Sequence, residues 1–329
     1  MKRWSIGQLI LTLLVCAIGW SAVAALCLMV GSTGTFGWPD PATLPFRREP
    51  VLLASLVGAS LAAAGVTYQA LLGNPLADPY LLGTSSGAML ASYLWTLPAF
   101  TTVAAVWAIG QQAMAFIGAL VAVGVVLAIA GRRGRLEPVT LILVGVIVNA
   151  VCGAVFLLIN SIVKDPASRG GPLDFIVGGL QTNLQQWQML ASSAVLLVGW
   201  VVLAVIGGQL NVGSMEEGEA ASLGVRVNRL RWVGVVVASL ITASAVAVSG
   251  PIGFVGLICP HLGRLIVGGD VRRLLPVATT LGAVMLCLAD AAGRRMLADG
   301  WLGTYLPVGV ITSLLGGPFF LVLLLTRHK

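Results

Sequence analysis

Charge is what this chain has least of: only 9% of its 329 residues are charged, against 58% apolar. So few charges cannot keep a protein surface in water, which excludes an ordinary soluble fold and leaves most of the surface to face lipid. Histidine is nearly absent, with only His261 and His328. No HExxH, serine elbow or His–carboxylate cluster occurs, which removes the common signatures of a membrane-embedded enzyme. The five cysteines, Cys16, Cys27, Cys152, Cys259 and Cys287, all sit inside apolar runs without a CxxC pair. They read as small buried hydrophobes, with no metal cluster and no disulfide framework. There is no GxxxxGK[ST], so the chain cannot hold a nucleotide by a P-loop. The net charge of +7 comes without a basic patch interleaved with aromatics, which argues against nucleic acid.

What the chain has is apolar length. Segments fall at about 6–30, 51–71, 87–109, 113–131, 139–163, 189–208, 230–249, 251–266, 274–293 and 306–326. A span takes about 20 residues, so these predict ten transmembrane helices in an all-α integral membrane protein. Lipid offers the backbone no hydrogen-bond partner, and the alternation of a membrane barrel is missing. Residues 1–329 then form a single transmembrane domain, with nothing left over for a soluble one. The first apolar run, following Met1-Lys2-Arg3, is longer than a signal-peptide core and reads as an uncleaved span, although Ala22-Val23-Ala24 resembles a cleavage triplet. Segment 251–266 is short and rich in Gly and Pro, as in a broken helix lined by protein. With the N-terminus in the cytoplasm, thirteen Lys and Arg fall inside and six outside, which predicts both termini inside. The 41 glycines suit close helix packing in lipid. Asp174 to Leu180, in the longest outside loop, suggests a short interfacial helix.

Three loops stand out, the first two on the inside. Gly73 to Gly87 carries Pro75 and Pro79, four apart, which forbid a continuous helix. Asn74 and Asp78 suit caps for the broken ends, and Ser85 or Ser86 a new helix start. A rigid turn and a cytoplasmic gate remain equal readings at this level. In the second loop, Gly218-Glu219-Ala220-Ala221-Ser222-Leu223-Gly224 reads as a short helix ended by glycine, with Glu216, Glu217 and Glu219 acidic at its start. It is either a docking element or a solvated charged loop. The third, Gly250 to Arg264 followed by Asp270, Arg272 and Arg273, holds His261, which reads as a structural residue at a helix end. Asp290 is an intramembrane acid and so a candidate for proton coupling. Arg294, one helical turn on, is its obvious partner.

Together these stretches resemble the FecCD family of ABC-importer permeases, which includes vitamin B12, ferric-siderophore and haem permeases. NPLADPYLLGTSSGA at 74–88, GPIGFVGLICPHLGR at 250–264 with its trailing D-x-R-R-x-L-P, Ala289-Asp290 with Arg294, and LPVGVITSLLGGPFF at 306–320 match family signatures in order. The likeness runs from about residue 47 to 326. It implies the type II importer architecture: ten spans per subunit, a second copy of the permease, two ATP-binding cassette subunits inside and a soluble substrate-binding protein outside. ATP and magnesium would belong to the ATPase partner, with no cofactor in this chain, and the cargo would be a large metal chelate crossing the inner membrane. Gly218 to Gly224 match the coupling helix seated in the ATPase cleft, and Asn74 and Leu76 match the cytoplasmic gate. Arg47 and Arg294 match outward arginines that engage acidic residues on the binding protein, with Arg48 and Arg295 as neighbours able to assist. The departures are Pro50 where the family has a second arginine, Tyr305 where a Glu commonly stands, and Glu137-Pro138-Val139 without small hydroxyl residues. A proton-coupled transporter using Asp290 or Asp78 is the competing reading. For the four outside arginines, the competing reading is snorkelling to lipid phosphate.

Overall fold

The computed structural model describes residues 6–31, 36–97, 110–132, 134–163, 178–180, 184–213, 217–298 and 306–327. In chain order the helices are α1 (Ile6–Leu28), α2 (Leu44–Leu71), α3 (Thr84–Thr96), α4 (Gln111–Ala130), α5 (Pro138–Val163), α6 (Gln186–Leu210), α7 (Glu217–Ser222), α8 (Val227–Ser249), α9 (Val255–Val267), α10 (Val271–Ala298) and α11 (Val308–Arg327). A 3-10 turn, Pro79–Leu82, precedes α3. Among the described residues each of the ten apolar segments holds one helix, though α3 and α9 have only 13 residues, and α7 is the short extra helix expected at 218–224. Among the described residues, seven helices (α1, α2, α4, α5, α6, α8 and α10) are long and apolar enough to cross a membrane. The suggested helix at 174–180 lies mostly outside the described residues, and Gly178–Leu180 are not helical.

The bundle is built around α2, which is buried along nearly its whole length from Val51 to Leu71. Small residues make this possible. A Cβ on Gly58 would overlap the Gly282 carbonyl of α10, and one on Gly65 would overlap the Gly256 carbonyl of α9. Backbones at that distance gain dispersion contacts that a larger side chain would prevent, the usual basis of helix packing in lipid. Hydroxyls within α2 satisfy themselves: Ser55, Ser60 and Thr67 donate to the carbonyls of Val51, Leu56 and Ala63 at 2.7, 2.7 and 3.0 Å. Tyr68, fully buried, shares a 2.7 Å hydrogen bond with Ser239 of α8. In contrast, α1, α5 and α6 expose most of their apolar side chains, as helices do against lipid or a second subunit.

The expected break at 250–254 is present, and it keeps α8 and α9 as separate helices. At 1.5 Å per residue the 13-residue α9 spans about 20 Å, short of a hydrocarbon core of about 30 Å. The irregular backbone before it therefore has to be satisfied by protein. Gly179 N–H donates to the Ser249 carbonyl at 2.9 Å, and Gly309 N–H to the Gly178 carbonyl at 3.0 Å, so three chain segments meet there. Phe254 adopts φ 69°, a left-handed conformation rare for an aromatic residue. Gly316 of α11 makes room for its ring: a Cβ there would overlap it.

Candidate functional site

At one end of the bundle the loop from Gly73 to Gly83 turns back into the protein. Asn74 Oδ1 accepts the Leu76 N–H at 3.0 Å and closes a turn, whereas Asp78 Oδ1 accepts the Tyr80 N–H at 2.8 Å as the N-cap of the 3-10 turn, so of the two caps expected here it is Asp78 that caps a helical end. The helix start differs from expectation. It is Gly83, at φ 84°, that precedes α3, and the helix begins at Thr84. Ser86 instead donates to the Asn149 side chain of α5 at 2.6 Å. The 3-10 turn runs directly into α3, so only a left-handed glycine fits the junction. Gln69 of α2 braces the loop from below, donating to the carbonyls of Ala77 and Gly256 at 3.4 and 3.3 Å and accepting from Arg264. Asn74 and Leu76 are half-buried beside a cavity of about 310 Å³ whose lining includes Gly73, Pro75, Gln69, Asn211 and Arg264.

The short helix α7 sits at the same end. Ala220 is fully buried against Val212 and Val227, which anchors α7 between α6 and α8. Leu223 N–H and Val225 N–H both return to the Ala220 carbonyl, and Gly224 leaves at φ 75°, the glycine stop read from the sequence. Glu219, Ser222 and Leu223 are exposed, so α7 presents a mixed acidic and apolar face. Its base is braced through α8: Arg231 donates to the carbonyls of Leu136 and Gly213 at 3.2 and 3.5 Å, and Asn228 clasps Gly134 and Leu136. α8 thus ties the stretch between α6 and α7 to the segment that starts α5.

At the opposite end the four arginines divide into two kinds. Arg47 is half-buried and donates to the carbonyls of Leu28, Met29 and Gly37 at 3.1, 3.2 and 3.0 Å. Arg294 is 7% exposed, pairs with Asp290 at 2.9 Å, and donates to the carbonyls of Val30 and Cys27 at 2.9 and 3.4 Å. These carbonyls belong to the end of α1, which carries no basic residue in its own last turn, and to the turn that follows. Two cations supplied by α2 and α10 thus add donors at a helix terminus that has no basic residue of its own. Arg48 and Arg295 are exposed. The structure thus buries one of the two arginines expected to face outward, half-buries the other, and turns their neighbours outward.

Sequence reasoning missed Gln69, Tyr80 and Asn149, which bind the loop to the bundle. The signal was available for two of them: Gln69 and Asn149 are uncharged polar residues inside apolar runs, where a polar side chain needs a partner. Comparison with known proteins now bears on the whole arrangement. The profile of the FecCD transport family matches residues 8–326. This chain belongs to that family. A cobalamin import system permease, BtuC of Halobacterium salinarum, is 39% identical over 92% of this chain and 79% of its own length. The hemin transport permease HmuU of Yersinia pestis is 36% identical over 99% of this chain and 97% of its own. Among solved structures, a metal-chelate type ABC transporter in an inward-facing conformation superposes with a TM-score of 0.83 at 26% identity, covering 95% of this chain and 98% of that one. The FecCD signatures thus map onto the observed geometry: the re-entrant loop, the broken segment before α9, and the Asp290–Arg294 pair.

Proposed function

We propose that this FecCD chain is the membrane permease of an ABC importer that moves a large metal chelate, a ferric siderophore, haem or cobalamin, into the cytoplasm. The observation that carries this reading is the family match along almost the whole chain. The relatives named for cobalamin and hemin transport support the cargo class. In this reading two copies of the chain form the pathway in the inner membrane with both termini in the cytoplasm. Two ATP-binding cassette subunits, which hold ATP and magnesium, dock on α7 through Gly218 to Gly224. Asn74 and Leu76 narrow the cytoplasmic exit on a loop that is braced from α2, α5 and α9. A soluble binding protein docks at the opposite end. Arg48 and Arg295 face it directly, while Arg47 and Arg294 hold the turn after α1 in place. The chain itself catalyses no reaction. Proton coupling through Asp290 is disfavoured, because that carboxylate is held by Arg294 in a buried pair.

The test is reconstitution with the cognate ATPase and binding protein. Cyanocobalamin, haemin and a ferric hydroxamate siderophore are offered separately to proteoliposomes. Uptake of one of them that requires ATP and survives collapse of the proton gradient is expected. Uptake that follows the proton gradient without ATP would sink the proposal.

A further inference from the structure

Beyond the gate residues, one side chain joins the gate loop to the rest of the pathway. The Tyr80 hydroxyl accepts the Ile252 N–H at 2.9 Å and donates to the Ile252 carbonyl at 3.1 Å. A single hydroxyl thus satisfies both backbone groups of a residue in the break between α8 and α9, where 1% exposure leaves Ile252 no water. The other side of the same residue is tied as well. Asn149 of α5 donates to the Tyr80 carbonyl at 3.1 Å and accepts from Ser86 of α3 at 2.6 Å. Packing reinforces both ties. A Cβ on Gly145 of α5 would overlap the Leu81 carbonyl, and one on Gly256 of α9 would crowd the ring of Pro79. Four elements converge on one turn of 3-10 helix: the loop after α2, the break before α9, α5 and α3.

We propose that Tyr80 is a positioning residue: it locks the gate loop to the break before α9, and Asn149 locks the same turn to α5. This rests on the reading of Asn74 and Leu76 as the gate. Without the hydroxyl the loop and the break have no direct hydrogen bond to each other, and the loop keeps only Gln69 and the Pro79–Gly256 packing as links to α9. The pair also gives α5 a direct hold on the loop. α5 exposes Val139, Leu143, Val146 and Leu157 and packs on the turn through Gly145, so a shift of α5 is passed to Tyr80 through Asn149.

The lock is tested in the full complex with Tyr80→Phe, which keeps the ring and removes only the hydroxyl. Backbone hydrogen exchange is expected to rise about tenfold in 73–83 and in 250–254, as for loss of local hydrogen bonds. Asn149→Leu should speed exchange in 79–86 while leaving 250–254 slow, because Asn149 holds the Tyr80 carbonyl rather than the ring. Tyr93→Phe, which removes the hydroxyl that donates to Asn160 elsewhere on α5, is the control and should leave both segments unchanged. Release of entrapped carboxyfluorescein from proteoliposomes without ATP is the functional readout. It should rise several-fold in Tyr80→Phe, with assembly and basal ATP hydrolysis retained. Leu76→Ala serves as the reference for an opened gate. Unchanged exchange in Tyr80→Phe overturns the lock. If Leu76→Ala itself releases no dye, the gate assignment fails while faster exchange in Tyr80→Phe still establishes the lock. Faster exchange without dye release, in a complex where Leu76→Ala does leak, overturns the role of Tyr80 in positioning the gate.

Discussion

Two adjacent arginines, Arg294 and Arg295, have different duties because consecutive residues on α10 point about 100° apart, one into the bundle and one away from it. Arg294 neutralises Asp290 in a buried site and closes α1. Removing one member of such a pair leaves an uncompensated charge in the interior, which typically costs about 3–5 kcal/mol. Arg294→Ala should therefore lower the thermal stability of the detergent-solubilised protein sharply, and Arg294→Ala with Asp290→Asn should recover part of the loss. A double variant no more stable than the single one would show that the Asp290 charge is not the cause. Arg48 and Arg295 are exposed, so their charges act through solvent and chiefly steer association. Reversing both to Glu should weaken binding-protein capture by about tenfold at low salt and flatten its salt dependence, with the melting temperature unchanged. Equal capture by wild type and double reversal at low salt would return these residues to the lipid headgroups.

At the scale of elements, α7 shows how a six-residue helix is held in place by its surroundings. It is too short to be stable by propensity alone. The buried Ala220 and the turn closed on its carbonyl hold it, while Arg231 and Asn228 tie its base to the start of α5. Replacing Ala221 with Trp should obstruct seating in an ATPase cleft and cut stimulated ATP hydrolysis by at least about tenfold, as the loss of a well-packed interface centre does. The measurement is ATPase activity together with co-purification, and normal values of both would detach α7 from coupling. α9 is the complementary case. Its shortness creates the break at Gly250–Phe254, and the break is tolerated because Tyr80, Gly178 and Gly309 surround it.

For the whole molecule, the decisive feature is the close passage of α2 and α10. Gly58 and Gly282 each stand where the other helix's backbone passes, so neither accepts a side chain without separating the helices. Gly282→Val should destabilise the fold by more than the ~1–3 kcal/mol usual for overpacking, because backbone rather than a flexible side chain must yield. Gly253→Ala, at a glycine with open space around it, is the matched control. Thermal inactivation of the two variants side by side checks this, and equal midpoints would mean that α2 and α10 are free to slide apart.

The amino-acid sequence by itself determined the class of this protein and the order of its helices. Apolar length, scarcity of charge and the Gly/Pro breaks are local properties, and lipid leaves the backbone few alternatives. Pro75 and Pro79 marked the re-entrant loop, Gly224 the end of α7, and the spacing of Asp290 and Arg294 their pairing, since each depends on neighbours within one or two turns. Tertiary structure decided which residues act at a distance. Arg47 closes a helix that begins 41 positions earlier, Tyr80 holds Ile252 across 172 positions, and Gln69 meets Gly256 across 187. No periodicity encodes such pairings. They arise because an orphaned carbonyl or a broken helix in an apolar interior must find a donor, and only the packed bundle decides which side chain is near enough to supply it.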